Sequence, residues 1–384
     1  MNSFDNELNL RLAKIREQNL FRKLCRVDSP QSPRIQIGGK TFLNFSSNDY
    51  LGLANDPILK NAAIEAIEKF GVGSGASRLV CGSLAPFHEL EEALAQFKKT
   101  EAALTFSTGY ATAIGTICAL LGKDDVIILD KLVHACIIDA AKLSGAKIRV
   151  FAHNDLNDLE KKLKWAKSQI ANRKSQILIV TESIFSMDGD AAPLHEIVEL
   201  KKKYGAWLMV DEAHATGIFG KNGCGLAEEL GVSGQIEIQM GTLGKALGAS
   251  GGYICGSRNL IDFLINRARS FIFSTAPIPA AAAAATAAIQ FVQSRNGETR
   301  RKQLLARVEQ LQSKIFSTII PILIGDENRA IEAAAKLREQ NIFVPAIRYP
   351  TVARGKARLR ITLTAAHSTK DISELVNVLK ILDK

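Results

Sequence analysis

Two residues with complementary chemistry lie near each other in the sequence. Lys245 lies among small residues in the stretch 241–248, and Asp211 follows an apolar run that ends at Val210. A lysine amine can form a Schiff base with an aldehyde, and a carboxylate at a strand end can pair with a protonated pyridine nitrogen. Pyridoxal phosphate (PLP) needs both groups, and it also needs a cradle for its phosphate. The pair therefore predicts a PLP site.

Candidates for that cradle lie in two places. Ser107, Thr108, Gly109 and Tyr110 precede a predicted helix over 111–121, and backbone N–H groups at a helix N-terminus bind anions. Thr242 precedes Lys245 by three positions and can donate to a phosphate. An ordinary serine or threonine N-cap explains the 107–110 stretch equally well.

Short apolar runs alternate with longer helical patterns over most of the chain. Helical patterns cover 157–169 and 194–204. Predicted strands cover 126–130, 147–151, 176–181, 206–210, 236–240 and 252–255. Strands that lack strict polar alternation favour a sheet covered on both faces, and strand–helix alternation favours a parallel sheet. The prediction is an α/β fold with a mostly parallel central sheet between helices.

Ligands in such folds bind beyond the carboxyl ends of the strands. The polar residues that follow predicted strand ends are Ser183, Asp211, His214, Thr242, Lys245 and His134. His214 is placed to reach the phenolic oxygen of a ring whose nitrogen pairs with Asp211, and Ser183 can assist. Each residue alone also fits a structural role, such as a histidine bonded to a backbone carbonyl. Their convergence on several strand ends favours a site.

A second unit is predicted after an alanine-rich helix that starts near Pro279. A polar break at 295–298 precedes a charged helix over 299–316, strand-like runs at 319–324, 342–347 and 358–363, a helix over 328–340, and a last helix from about Ser368. The predicted division is an N-terminal helix and arm at 1–45, a large α/β domain at 46–290, and a small C-terminal α+β domain at 291–384.

The composition and charge of the chain argue against several classes of function. The 384 residues carry a formal charge of +10, with 47% hydrophobic and 23% charged residues. No basic block interleaved with aromatics and no zinc-finger spacing is present, so we do not expect nucleic-acid binding. The six cysteines show no C-x-x-C pair and the histidines show no metal-ligand spacing, which indicates reduced thiols in a cytoplasmic protein without a metal. No signal peptide or membrane span is predicted.

Four stretches together resemble a known family, the α-oxoamine synthases, which are PLP enzymes of the fold-type I aminotransferase superfamily. The stretches are Asn44–Gly52, Gly73–Arg78, Val210–Gly217 and Thr242–Lys245. They are spread over nearly the whole chain. The resemblance implies the fold-type I architecture, a homodimer with shared active sites, and PLP as the cofactor.

The resemblance also implies a role for individual residues. Lys245 carries the cofactor, Asp211 pairs with the pyridine nitrogen, and His134 stacks on the ring. Ser183 and His214 lie on the phenolic oxygen side. The residues implied for the phosphate are Thr242, the backbone of Gly109 and Tyr110, and Ser274 and Thr275 from the partner subunit. Arg348 and Asn48 are implied to meet the carboxylate of the amino acid, and Thr351 and Arg22 the acyl substrate.

Details such as Phe151–Asp155, Ile347–Val352 and Arg358–Ile361 imply one reaction within the family. That reaction is a decarboxylating condensation of L-alanine with a pimeloyl thioester, carried on coenzyme A or on acyl carrier protein. Another α-oxoamine synthase is the alternative, one that uses glycine with a succinyl thioester, serine, or glycine with an acetyl thioester. Cys81 in the stretch 79–82 resembles the last of these. A catalytically silent relative is disfavoured, since such chains usually lose the lysine.

Overall fold

The computed structural model describes residues 3–169, 175–311 and 317–382. The strands are β1 (Arg34–Ile37), β2 (Lys40–Asn44), β3 (Ala102–Phe106), β4 (Val126–Asp130), β5 (Lys147–Phe151), β6 (Ile177–Glu182), β7 (Trp207–Asp211), β8 (Ile238–Thr242), β9 (Gly252–Gly256), β10 (Ile319–Gly325), β11 (Ile342–Phe343), β12 (Ala346–Ile347) and β13 (Ala357–Thr362). The helices are α1 (Ser3–Glu17), α2 (Pro57–Phe70), α3 (Ala85–Lys98), α4 (Gly109–Leu120), α5 (Ala135–Ser144), α6 (Leu156–Gln169), α7 (Leu194–Tyr204), α8 (Leu226–Glu229), α9 (Arg258–Arg267), α10 (Arg269–Ile272), α11 (Pro279–Gln293), α12 (Arg295–Gln310), α13 (Glu327–Glu339) and α14 (Thr369–Leu382).

The chain forms two compact units. The larger unit comprises 48–186 and 190–303, and the smaller comprises 1–47, 187–189 and 304–384.

A seven-stranded sheet forms the centre of the larger unit. Its strand order is β3-β9-β8-β7-β6-β4-β5, and β9 runs in the opposite direction to the other six strands. Strands β3, β4, β6 and β9 are buried at every position. Apolar residues without polar alternation are what a sheet covered on both faces requires. The expected α/β fold with a mostly parallel sheet between helices is therefore confirmed.

Local signals fix the helix ends around this sheet. Asp56 accepts a hydrogen bond from the N–H of Ile58 and caps α2, whose first residue is Pro57. Helix α7 ends at Gly205, which has a φ of 59° and so takes the left-handed conformation that glycine adopts at little cost. The alanine-rich α11 begins at Pro279, as the sequence predicts. These residues fix where the helices that pack around the sheet begin and end.

Two three-stranded sheets belong to the smaller unit. One has the order β1-β2-β11 and the other the order β10-β13-β12. The predicted single strand over 342–347 is wrong, because β11 pairs with β2 and β12 pairs with β13. The intervening Val344 and Pro345 lie outside both strands, and proline cannot donate a ladder hydrogen bond. Of the predicted helix over 299–316, residues 312–316 lie outside the described residues.

Strand β3 and the hairpin of β1 and β2 were not predicted.

No described helix is long and apolar enough to span a bilayer.

Candidate active site

A chain of hydrogen bonds starts at Lys245, three residues after the end of β8. Its Nζ lies 2.7 Å from Nε2 of His214, and Nδ1 of His214 lies 2.7 Å from the hydroxyl of Tyr50. The hydroxyl of Tyr50 donates to Oδ1 of Asn48 at 3.2 Å. An amine that donates to Nε2 leaves the imidazole proton on Nδ1, which then donates to Tyr50. Every group in the chain thus has a consistent role, and the described contacts fix the orientation of His214.

Asp211 ends β7, next to β8, and is 5% exposed. Its Oδ1 accepts the N–H of Ala213 at 2.9 Å. Burial raises the pKa of Asp211, and the positive charge of Lys245 opposes that shift. Asp211 and Lys245 therefore act electrostatically on each other beyond the carboxyl ends of β7 and β8.

Ser183 lies fully buried beside Asp211. Its N–H donates to the carbonyl oxygen of Asp211 at 2.9 Å, and its hydroxyl approaches the same oxygen at 3.4 Å. In this structure Ser183 therefore holds the backbone of Asp211. A direct contact of Ser183 with a cofactor remains a prediction.

His134 follows β4 and caps α5. Its Nδ1 accepts the N–H of Cys136 at 3.2 Å, which leaves Nε2 as the nitrogen that carries the proton in the neutral ring. Burial lowers the pKa of His134, while Asp211 raises it and Lys245 lowers it. His134 is thus neutral at pH 7 and lies within the electrostatic reach of Asp211 and Lys245.

A close approach of backbones marks the predicted phosphate cradle. A Cβ built on Gly252 would lie 2.8 Å from both N and Cα of Gly109, and one built on Gly109 would lie 3.9 Å from Oγ1 of Thr242. Gly109 is the first residue of α4, whose orphan N–H groups favour an anion. The expected threonine cap is also present, because Thr108 accepts the N–H of Ala111 at 3.0 Å. The amine of Lys245, the carboxylate of Asp211 and the first N–H groups of α4 fit the aldehyde, the ring nitrogen and the phosphate of PLP, respectively.

The remaining cofactor candidates lie at the surface. The hydroxyl of Tyr110 donates to Oδ2 of Asp139 at 2.6 Å, and its backbone N–H belongs to the first turn of α4, where helix N–H groups have no intrahelical acceptor. Thr275 forms an isolated bridge with Ser77, and Thr275 is exposed. Among the described residues, no hydrogen bond joins Ser274 or Thr275 to Thr242.

Three predicted substrate residues lie together in the smaller unit. The guanidinium of Arg22 donates to the carbonyl of Tyr349 at 3.0 Å and approaches Oγ1 of Thr351 at 3.5 Å. Arg348 donates to the carbonyl of Asn19, and burial followed by the charge of Arg22 lowers the pKa of Arg348. Cations that share a surface and bond to carbonyls are suited to bind an anion. Asn48, the fourth substrate candidate, belongs to the larger unit.

Two residues of the site escaped the sequence analysis. Tyr50 lies in the stretch Asn44–Gly52 and has no predicted role, yet it is fully buried and bonds to His214. Glu182 is 2% exposed and pairs in register with Asp211 across β6 and β7. Burial and then the charge of Asp211 raise the pKa of Glu182 to about 8. A strand-end carboxylate directly before the predicted site residue Ser183 was the available signal for Glu182.

A buried ion pair supports the turn after β7. Nζ of Lys98 lies 2.5 Å from Oε2 of Glu212 and donates to the carbonyl of Cys224 at 2.6 Å, while Oε1 of Glu212 accepts the N–H of Ala227 at 2.9 Å. Burial lowers the pKa of Lys98, but Glu212 more than compensates and the net shift is upward. Glu212 is the neighbour of Asp211 in the chain, so this pair positions the turn that carries Asp211 and His214.

His153, which follows β5, forms a clamp between the end of β4 and the loop after β6. Nδ1 of His153 lies 3.0 Å from Oδ1 of Asp130, at the end of β4, and Nε2 lies 2.7 Å from Oδ2 of Asp190, in the loop after β6. Burial lowers the pKa of His153, but the hydrogen bonds to Asp130 and Asp190 raise it to about 10. His153 is therefore a cation at neutral pH. It fixes the segment that leads from Asp130 to His134.

Comparisons with known proteins agree with this geometry. The model of the family "Aminotransferase class I and II" matches residues 40–379. The 8-amino-7-oxononanoate synthase of Geobacter sulfurreducens is 47% identical over 95% of this chain and 95% of its own length, and that of Thermoanaerobacter pseudethanolicus is 46% identical over 94% and 93%.

Solved structures give the same result. A serine palmitoyltransferase from S. paucimobilis, solved with a bound PLP–myriocin aldimine, superposes with a TM-score of 0.91 at 29% identity and covers 100% of this chain and 98% of that one. The 8-amino-7-oxononanoate synthase of Francisella tularensis has a TM-score of 0.74 at 30% identity and covers 89% and 96%. The chain therefore belongs to the aminotransferase class I and II family, and within it to the group of the 8-amino-7-oxononanoate synthases.

Proposed function

We propose that this chain uses PLP to catalyse the decarboxylating condensation of L-alanine with a pimeloyl thioester, which is a step of biotin biosynthesis. The observation that carries the proposal is the position of Lys245 and Asp211 after neighbouring strands, with His214 bonded to the amine. The products are 8-amino-7-oxononanoate, carbon dioxide and the free thiol of the carrier, which balances the atoms of the two substrates.

PLP, when bound, supplies an aldehyde that bonds to amines and a ring that accepts the electron pair left by a broken bond at the α-carbon. We propose that the N–H groups of Gly109 and Tyr110 and the hydroxyl of Thr242 hold its phosphate. The hydroxyl of Thr242 donates to the carbonyl of Gly251 at 2.9 Å in this structure, so it must turn away from that carbonyl to donate to a phosphate. His134 would lie against the ring, and the carboxylate of Asp211 would accept a hydrogen bond from the protonated ring nitrogen and so keep the proton there.

Lys245 is proposed to move the proton of the reaction. Its Nζ takes the α-proton of L-alanine and later returns a proton to the product. His214 orients this amine through Nε2, and the hydrogen bond of Nδ1 to Tyr50 holds the imidazole in place. The burial of Asp211, His214 and Tyr50 keeps water from competing at this point.

Four residues are assigned to substrate recognition. We propose that Arg348 and Asn48 bind the carboxylate of alanine, and that Arg22 and Thr351 bind the acyl substrate. Arg22 and Thr351 approach each other at 3.5 Å, which supports a common ligand. The formal charge of +10 suits an anionic thioester on coenzyme A or on acyl carrier protein.

The proposal includes a homodimer in the cytoplasm. Large apolar side chains are exposed on both segments that meet at the Ser77–Thr275 bridge, namely Leu79, Val80 and Phe273. Such a patch favours a protein interface, and Ser274 and Thr275 would then reach the phosphate of the partner's cofactor. All six cysteines are free thiols, which suits a reducing compartment.

The experiment is a substrate matrix with the purified, PLP-loaded protein. Alanine and glycine are each paired with pimeloyl-CoA and acetyl-CoA, and the ketone product and carbon dioxide are measured together. The proposal predicts the highest kcat/KM for alanine with the pimeloyl thioester. A preference for glycine with acetyl-CoA would replace this function by that of the related glycine-using ligase.

A further inference from the structure

Glu182 and Asp211 form a pair of buried carboxyl groups behind the proposed cofactor. They are register partners on the parallel strands β6 and β7, so their side chains lie side by side on one face of the sheet. Glu182 is 2% exposed and Asp211 is 5% exposed. Two carboxylates that share a buried place cannot both ionise easily, because each disfavours the charge of the other. One proton is therefore expected on the pair at neutral pH.

The surroundings of the two groups differ. Lys245 makes the largest favourable charge contribution to the anion of Asp211, and Ala213 donates an N–H to it. For Glu182, the charge of Asp211 outweighs the opposing charge of Lys245. Asp211 is therefore the better place for the negative charge.

The hydrogen bonds of Glu182 lead to the same assignment. Its Oε2 accepts the N–H of Ser186 at 3.2 Å, whereas Oε1 is buried and has no hydrogen-bond partner among the described residues. A buried oxygen without a donor costs far more on a carboxylate than on a neutral acid. The acid proton on Oε1 removes that charge and leaves Oε2 as the acceptor.

The titratable groups around Glu182 come from every neighbouring segment. They are Asp211 on β7, Lys245 after β8 and the thiol of Cys136 on α5, while the backbone N–H of His134, which does not titrate, lowers the pKa of Glu182 less than burial and Asp211 raise it. Burial raises the pKa of Cys136, so its thiol is neutral. Lys245 is thus a cation that acts on both members of the pair.

We propose that Glu182 is a positioning residue that holds the single proton of this carboxyl pair, so that Asp211 carries the negative charge that faces the ring nitrogen of the cofactor. The shared proton is a property of the chain alone. Its consequence for the cofactor rests on the proposed function. A neutral Glu182 leaves Asp211 as the one charged acceptor for the ring proton, and it excludes a second anion that would draw Lys245 away from its place beside His214.

The first test is infrared spectroscopy of the cofactor-free protein in heavy water. The difference spectrum of the wild type minus Glu182→Gln should contain the C=O stretch of a protonated carboxylic acid at pH 7. In wild-type protein that band should fade as the pH rises through about 8. Labelling of the glutamate carboxyls with ¹³C should shift the band, which identifies a glutamate even if the variant fails to fold. A spectrum without the band at pH 7 would overturn the proposal.

The second test measures PLP affinity by absorbance at pH 7. Glutamine mimics a neutral acid, so Glu182→Gln should change the dissociation constant by less than about threefold, whereas Asp211→Asn should weaken it by about tenfold or more. An equal loss in both variants would mean that Glu182 is charged, and it would contradict the proposal. The infrared band should also persist at pH 7 after PLP is added, and its loss would refute the role toward the cofactor.

A matched control uses the same substitution beside the site. Glu212→Gln removes a charge that Lys98 needs, so it should lower the melting temperature far more than Glu182→Gln does. If wild-type protein binds no PLP, the proposed function fails, while the infrared titration still decides the protonation of the pair.

Discussion

Nε2 of His214 lies 2.7 Å from Nζ of Lys245, and this contact joins the end of β8 to the turn after β7. On the other side of the ring, the hydroxyl of Tyr50 meets Nδ1 at 2.7 Å. Because both nitrogens are engaged, the imidazole cannot rotate without breaking two hydrogen bonds. The lysine that carries the proposed chemistry therefore has a fixed neighbour, and that neighbour is itself held by a residue from the segment before α2.

Removing the hydroxyl of Tyr50 tests this arrangement. Tyr50→Phe leaves Nδ1 of the buried His214 without the phenol, so we expect a loss of about 1–3 kcal/mol in the free energy of unfolding. The amine of Lys245 should also lose its orientation, which lowers kcat more than it raises KM. Urea unfolding and steady-state kinetics check the two effects. Unchanged stability and kcat would show that the phenol has no such role.

Neutralising Asp211 tests the electronic part of the proposal. Asp211→Asn keeps the size of the side chain but no longer stabilises a proton on the ring nitrogen, so kcat should fall by about a hundredfold to a thousandfold. The visible spectrum of bound PLP and its pH dependence should change as well. Asp139→Asn is the control, because Asp139 bonds to exposed Tyr110 and should affect kcat much less. Equal effects of the two variants would argue against the ring contact.

The clamp of His153 makes stability depend on pH in a defined window. Its pKa rises from an ordinary value of 6.5 to about 10 in the fold, so the folded state binds more protons than the unfolded state between these values. Stability from this group is complete below pH 6.5 and is lost as the pH rises through about 10.

The substitution His153→Gln should therefore flatten the decline in stability between neutral and alkaline pH, as measured by thermal unfolding. It should also weaken PLP binding, because the segment from Asp130 to His134 loses its support. His195→Gln, at an exposed position of α7, is the matched control. A decline that is equally steep in the His153 variant would contradict the clamp.

Mixed dimers test the proposed sharing of active sites. One chain carries Lys245→Ala and the other carries Thr275→Arg, which should block the phosphate site of the partner. If Thr275 reaches the partner's cofactor, a mixed dimer places both defects in one site and leaves the other intact, so about half of the activity per dimer should return. Activity near zero in the mixed sample, with dimers verified by native mass spectrometry, would place both residues in the same chain's site.

Much of the larger unit could be predicted from apolar runs. Strands β4 and β5 and helix α7 have the predicted bounds, because their apolar residues stop abruptly at Asp130, Phe151 and Gly205. Strand β3 was missed because Ala102 and Ala103 continue the composition of the preceding helix. The split of 342–347 depends on which partner each half finds, and pairing is a tertiary property.

For the site as well, the sequence predicted residue types but not the contacts that depend on tertiary structure. Lys245, Asp211 and His214 were found because their residue types and strand-end positions carry chemistry. The role of Glu182 depends on its register beside Asp211. The role of Tyr50 depends on its contact with a histidine ring that lies 164 positions away in the sequence. Neither relationship is visible before the strands are paired.

The most direct test of the account is to locate the covalent attachment of the cofactor. Purified protein is treated with borohydride to fix PLP to its lysine, digested, and mapped by mass spectrometry, with Lys245→Ala as the control. The account predicts the added mass on the peptide that contains Lys245, no such mass in the variant, and a loss of kcat of at least about a thousandfold in the variant. Attachment at another lysine, or a variant that keeps the bound cofactor and its activity, would contradict the central claim.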